Sequence, residues 1–296
     1  MLGFVLAIPG GVGALWRANG KVRLGMSVIV ACVVLACLAG PISARIGGDK
    51  DPLELTAYQA WLVPSSAHWL GTDRYGRDLL AMTVKGLASS LQVGAISGVC
   101  ATLFGILVGF VAGYKGGRID ATLATITDMF LVIPTLPILL VISAYMRNIT
   151  LFHVAVIIGC FSWPFAARTI RAQVLTLRSR PYVDLARATK MNDLEIIFQE
   201  LVPNLLPYIV VGFATSTLGA IFALVGIEVI GFGPTDVIDL GMMINWAVTW
   251  GALSLGAWPI FVAPIFVLSL LFLAINLVNI GLEERYNPRL RQVAGA

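Results

Sequence analysis

Apolar residues run through this chain in long charge-free windows separated by short polar stretches. The windows at 24–44, 86–114, 129–146, 148–167 and 201–227 each match a bilayer-crossing helix of about 20 residues. The second is long enough to tilt or overshoot the hydrocarbon. The helix over the third is expected to begin earlier, near Ile119. A last window, 240–282, is too long for one span and short for two, and Gly251, Gly256 and Pro259 interrupt it. It divides into a part-inserted or surface segment at 240–257 and a sixth helix at 258–282. The opening MLGFVLAIPGGVGAL is too short and too rich in Gly and Pro to span, and it lacks the basic start of a signal peptide. It is expected to form an interfacial lead-in.

The expected class is therefore all-α: a polytopic membrane protein of six transmembrane helices. A lead-in at 1–23 is followed by the first helix and an outer loop at 24–85. The transmembrane core covers 86–282, with a polar loop at about 178–207, and a tail occupies 283–296. Composition agrees, with 58% hydrophobic and 12% charged residues, about half the charge of a soluble domain.

Charge decides the orientation. With both ends in the cytoplasm, the inside holds Arg17, Lys21, Arg23, Lys115, Arg118, Arg168, Arg171, Arg178, Arg180, Arg187, Lys190, Arg285, Arg289 and Arg291. The outside holds Arg45, Lys50, Arg74, Arg77, Lys85 and Arg147. The positive-inside rule favours this arrangement, and it accounts for the net charge of +4 without a nucleic-acid partner.

The polar stretch 182–207, YVDLARATKMNDLEIIFQELVPNLLP, then faces the cytoplasm. It predicts two short helical arms. Asp184 to Lys190 form the first. Asn192 caps the second, and Glu195 completes a capping box. Leu194, Ile197, Phe198 and Leu201 fall on one apolar face at i, i+3, i+4 and i+7. Pro203 and Pro207 stop that arm or bend it into the fifth span.

No catalytic set emerges. A P-loop, an HExxH helix and a nucleophile elbow are all missing from the sequence, so ATP hydrolysis would have to come from another subunit. Cys32, Cys37, Cys100 and Cys160 form no CxxC pair, and His68 and His153 are too few and too separated for a metal cluster. His153 is expected to be a hydrogen-bonded packing residue. Two carboxylates fall within spans, Asp128 in the third and Glu228 near the outer end of the fifth. Structural pairing is favoured for both over a proton relay. Pro134, Pro137, Pro164, Pro259 and Pro264 offer kinks. Gly and Ser/Thr positions on helices two, three and five are expected to line or pack a cavity. The segment HWLGTDRYGRDLL (68–80) predicts a surface-lying structural element. Thr72 or Asp73 caps a helix there, the pairs Asp73–Arg77 and Arg74–Asp78 sit at i, i+4, and Trp69 and Tyr75 lie at the interface.

Taken together, these segments resemble the permease subunits of dipeptide/oligopeptide ABC importers. HWLGTDRYGRDLL is similar to that family's HxLGTDxxGRDxxSR signature. GYKGGRIDATLATITDMFLVIPTLPILL resembles its GYxGGxxDxxxMRxxDxxxxxPxLLL run, and 166–171 resembles its ARxxR stretch. The 182–207 stretch is similar to its EAA loop, and GLEERYNPRLR to its ending. The resemblance implies a type I importer permease that pairs with a second homologous permease, two ATPase subunits and an extracytoplasmic solute-binding protein. This chain would then carry no cofactor, with ATP and Mg held by the ATPases.

In the coupling loop, Asp184 stands for the family's Glu, and Leu185 and Ala186 stand for its two Ala. Arg187 follows them, Lys190 replaces its Gly, Glu200 its Ile and Val202 its Leu, and Pro203 is kept. With Gly lost, Asn192 is expected to take over the left-handed turn. GFGPTDVIDLGMMINWA replaces the common LGLGxxPPxPxWGxML. That leaves the cargo open among peptides, oligosaccharides and other small solutes. An ion-coupled transporter is the competing class, and it would need midplane charges and internal repeats that the sequence does not display.

Overall fold

In the computed structural model, described for residues 19–48, 50–146, 149–234 and 237–286, the chain is a helical membrane bundle. The lead-in before Asn19 and most of the tail lie outside the described residues, as do the side chains of Leu194, Arg285 and Tyr286. The helices are α1 (Gly20–Cys37), α2 (Ala39–Gly47), α3 (Leu79–Lys115), α4 (Gly117–Val132), α5 (Thr135–Tyr145), α6 (Leu151–Leu177) and α7 (Pro181–Ala188). They continue with α8 (Asp193–Glu195), α9 (Val202–Val229), α10 (Leu240–Thr249) and α11 (Pro259–Tyr286). A π-helical turn at Ile196–Leu201 joins α8 to α9.

Among the described residues, five helices are long and apolar enough to cross a membrane, and the bent pair α4–α5 makes a sixth span if taken as one. The expected first helix is instead two, because the chain breaks at Leu38 between α1 and α2. The expected third helix is also broken. α4 and α5 meet at 72° where Ile133 and Pro134 are extended. Proline disfavours the helical region in the residue before it, so Ile133 leaves the helix and α5 restarts after Pro134. Only the first part of the 240–257 segment is helical, as α10.

The centre of the bundle is α3 packed along α6 and α9. At 1.5 Å per residue its 37 residues reach about 55 Å, beyond the roughly 30 Å hydrocarbon core. Small residues allow the close approach: a Cβ at Gly105 would meet the Ala166 Cβ at 2.6 Å, and one at Gly98 the Thr217 hydroxyl at 2.3 Å. Such small-residue contacts suit helix pairs in lipid, where no hydrophobic force drives association. Ser97 Oγ of α3 donates to the Ala155 carbonyl of α6 at 2.7 Å. The terminal spans pack together, with Gly25 against Ala274 and Val278 and Asn19 donating to the Gly281 carbonyl.

Ion pairs join α4 to α6. Asp128 pairs with Arg168 at 2.5 Å, and Asp120 accepts from Arg171 Nη2 at 2.8 Å. The acidic positions of the GYxGG-like run thus meet the two arginines of the ARxxR-like stretch. Asp128 is structurally paired, as expected. His153 is hydrogen-bonded, but to Thr150 as part of the N-terminal cap of α6, on an exposed side rather than in packing.

Candidate functional site

The polar elbow at the start of α9 is the strongest candidate site. Its first arm is α7, with Pro181 at the helix start where no N–H is needed, Asp184 in the first turn and Arg187 in the last. The arm ends in two crossed hydrogen bonds, Lys190 N–H to the Arg187 carbonyl at 3.0 Å and Met191 N–H to the Ala186 carbonyl at 3.2 Å. This is the Schellman pattern, which requires a left-handed residue at its turn. Lys190 fills that position with φ 63°. The expectation that Asn192 makes the turn is therefore corrected. Turning two residues later would forgo the bond that lets Met191 fold back over α7 and pack on the elbow core.

Asn192 is extended (φ −76°, ψ 163°) and forms the expected capping box. Its Oδ1 accepts from Glu195 N–H at 2.9 Å, and its own N–H donates to Glu195 Oε2 at 2.8 Å. The second arm does not stop at the prolines. It runs through the π turn into α9 as a continuous element, Ile196–Val229. The wide turn absorbs the N–H that Pro203 lacks, and the ladder passes through Val202 N–H to the Ile197 carbonyl instead. It also rephases the arm. Ile196 and Leu201, five apart, are both buried and Ile197 packs half-buried on the core, whereas Phe198, expected on the same face, is 61% exposed; the side chain of Leu194 lies outside the described residues.

Beneath the elbow, Val183, Ala186, Ile196, Leu201, Val202 and Leu205 form one core with Phe110 and Tyr114 of α3 and Ile170 and Val174 of α6. Three spans therefore converge on it. Polar ties add to this: Asp193 accepts from Tyr114 Oη at 2.8 Å and Lys115 Nζ at 2.9 Å. The Lys115 hydrogen bond, with that of Tyr114, holds the Asp193 carboxyl below the usual carboxylate range. Arg178 Nη1 donates to the carbonyls of Gly113 and Tyr114 at the end of α3. The guanidinium of Arg187 lies 5.9 Å from the Tyr114 ring centroid.

The site residues named from sequence thus divide. Asp184, Leu185, Arg187, Lys190 and Asn192 are exposed, with Leu185 at 66%. Ala186 is buried in the elbow core, and Pro203 sits half-buried at the root of α9. Asp193 and Phe198, absent from the sequence-based set, belong to the same elbow. Asp193 follows the cap immediately, but its partners lie on a helix far away in the chain.

At the opposite end of α9, the 68–78 segment is a loop rather than a helix, its polar core buried while Trp69, Arg74 and Tyr75 are exposed, the two aromatics as expected. Asp73 accepts from Arg77 Nε at 2.7 Å and from the Tyr75 and Arg77 N–H groups at 2.9 and 2.8 Å. The Asp73–Arg77 pair forms as expected. Asp78, however, pairs with His68 Nδ1 at 2.8 Å rather than with Arg74, and Asp78 instead of Thr72 or Asp73 caps α3. Gly71 and Gly76 are both left-handed, and a Cβ on either would lie 2.2 Å or less from a carbonyl oxygen. Arg77 lies over the Trp246 ring at 4.4 Å and so fastens the loop to α10.

The bundle thus presents at one end a polar elbow rooted in three spans. The family described as "binding-protein-dependent transport system inner membrane component" matches residues 105–292, and the chain belongs to that family. It is 31% identical over 275 residues to the oligopeptide transport system permease protein OppC of Mycobacterium tuberculosis H37Rv, covering 92% of each chain. It is 30% identical to the dipeptide transport system permease protein DppC of Bacillus subtilis, covering 94% of this chain and 85% of that one. Among solved structures, a chain of the inward-facing MetNI methionine ABC transporter shares the fold. The TM-score is 0.53 at 19% identity, over 69% of this chain and 97% of that one.

Proposed function

We propose that this chain is one of two permeases in an ATP-driven importer of oligopeptides, with the elbow as its docking surface for an ATPase. The observation that carries this reading is full-length similarity to peptide permeases together with an elbow that exposes Leu185 above a core shared by three spans. Asp184, Leu185, Arg187, Lys190 and Asn192 would meet the ATPase. Ala186 and Pro203 would transmit the motion by packing. The elbow and both chain ends would lie in the cytoplasm, and a solute-binding protein would dock on the face that carries the 68–78 loop. The second permease and two ATPases complete the assembly, and ATP and Mg belong to the ATPases. No observation favours an oligosaccharide cargo or ion coupling.

The test is reconstitution with the neighbouring permease, ATPase and binding-protein subunits. Peptide-loaded binding protein should stimulate ATP hydrolysis. Leu185→Glu should abolish that stimulation while the spans stay folded. If ATPase subunits neither co-purify with the chain nor respond to Leu185→Glu, the reading fails.

A further inference from the structure

Where α9 ends, Glu228 meets Asp239, the residue that caps α10. Both are fully buried. Asp239 Oδ1 accepts from the Gly241 and Met242 N–H groups at 2.8 and 3.0 Å. Asp239 Oδ2 and both oxygens of Glu228 make no hydrogen bond of ordinary geometry among the described residues, and both carboxyls close on the same Gly241–Met242 backbone, whose Met242 N–H also favours the ionised Glu228. Backbone closes around them. A Cβ at Gly233 would lie 2.1 Å from Glu228 Cγ, and one at Gly241 would lie 2.4 Å from Glu228 Oε2.

The surroundings offer no counter-charge among the described residues. α3 contributes Gly86, packed on the Asp239 backbone, and Ser90, whose Oγ accepts from Leu240 N–H at 3.3 Å. Lys85 beside them is exposed and lines a separate pocket with Lys50 and Asp51. α11 faces α10 with Phe261, Ile265 and Leu268. Asp236 lies outside the described residues. Burial pushes the Asp239 carboxyl above its usual value.

Two ionised carboxylates in contact, buried and without a cation, repel strongly. A divalent cation asks for six or more oxygens, whereas three are free here and glycine backbone already packs on them. A proton fits: the hydroxyl of one carboxyl donates to the carboxylate of the other. From this geometry we infer that Glu228 and Asp239 bind one proton between them, forming a latch that fastens α10 to the end of α9.

When the latch opens, both groups reach water and ionise with ordinary carboxylate values near about 4, and the shared proton leaves to solvent. The closed state holds one proton more than the open state. Opening is therefore promoted as pH rises, about tenfold per pH unit between the ordinary carboxylate value and the pair's own. The latch sits at the end of α9 opposite the elbow, so the two ends of one helix carry two different controls.

The test uses the whole chain in lipid bilayers. Infrared difference spectra of wild type against Glu228→Gln should show a protonated-carboxyl C=O stretch at neutral pH that shifts in D2O. Hydrogen exchange at the Gly241 and Met242 amides, corrected for intrinsic rates, should show opening that rises about tenfold per pH unit in wild type. The profile should be flat in Glu228→Gln, whose amide donates to Asp239 without titrating. Asp239→Asn, which keeps a capping side chain, serves as the second variant and should also lose the band. No carboxyl band in wild type, a flat wild-type profile, or a slope that survives in Glu228→Gln would each overturn the latch. Protection that tracks added sodium or calcium instead of pH would also overturn it and point to a cation site.

Discussion

The two ends of α9 are built on opposite principles. At the elbow, the ion pairs Lys115–Asp193 and Arg187–Asp184 are about half exposed, and the turn rests on one strained lysine. At the far end, Asp73–Arg77, His68–Asp78 and Glu228–Asp239 are all buried, and Arg77 lies against Trp246 beneath the Trp246–Trp250 stack. Exposed pairs contribute little and exchange readily with water. Buried ones are costly to break because a lone charge is left behind. The polar ties at the elbow are therefore cheap to break, while those at the far end are costly to break. If an ATPase docks on the elbow as proposed, this contrast would let its push tilt α9 about the more firmly tied end.

The sharpest way to break this contrast is at the rigid end. Arg77→Met keeps the volume but strands the Asp73 carboxylate among its backbone donors. We expect a loss of about 3–5 kcal/mol, read as a large drop in melting temperature of the assembled complex in detergent. The double variant Asp73→Asn with Arg77→Met should recover part of it. If Arg77→Met melts like wild type, the far end is not the rigid one.

The range of each interaction decides how far the sequence alone reveals it. The capping box at Asn192 and Glu195 is legible, because both partners lie within one helical turn. The spans are legible from charge-free windows; the Asp73–Arg77 pair, read from helical spacing, forms in a loop where Arg74 and Asp78 at the same spacing do not pair. The Lys190 turn is not, because it is fixed by Met191 folding back onto a core supplied by α3 and α6. The phase of the second arm escapes a sequence reading because a π turn replaces the 3.6-residue period on which amphipathic patterns rest. Pro134 and Pro137 are legible as kinks, but a 72° break depends on what α4 and α5 pack against. The partner of Glu228 is hidden because it lies across an irregular loop, where spacing carries no geometry.

At the compliant end the expected effects are smaller. Lys190→Gly should stabilise the elbow by about 1–2 kcal/mol, since glycine removes the Cβ penalty of a left-handed residue. Hydrogen exchange at the Met191 amide should slow accordingly, and slower or more rigid coupling in the reconstituted ATPase assay is the expected cost. Lys190→Val should act in the opposite direction. A Lys190→Gly variant that is less stable than wild type would mean that the lysine side chain itself holds the turn. Asn192→Ala removes half of the capping box and should cost about 1 kcal/mol, read as faster exchange at the Glu195 amide.

The smallest effect is expected at Asp193, and there the direction carries the information. Its carboxyl is held low by Lys115 and Tyr114, so the folded state favours the ionised form. A depressed carboxylate contributes fully above the ordinary aspartate value of about 3.9, and its contribution is lost as pH falls through the lower folded value. Acid below about pH 4 should therefore free the elbow from the end of α3, whereas the latch at Glu228 and Asp239 tightens as pH falls only down to about 4. Hydrogen exchange should show the far end tightening as pH falls from about 6 to about 4, and the elbow loosening only below about pH 4. Asp193→Asn should remove the acid response at the elbow and leave the far end unchanged. If both ends loosen together as pH falls from about 6 to about 4, the bundle is opening as a whole, and the contrast between the two ends of α9 is wrong.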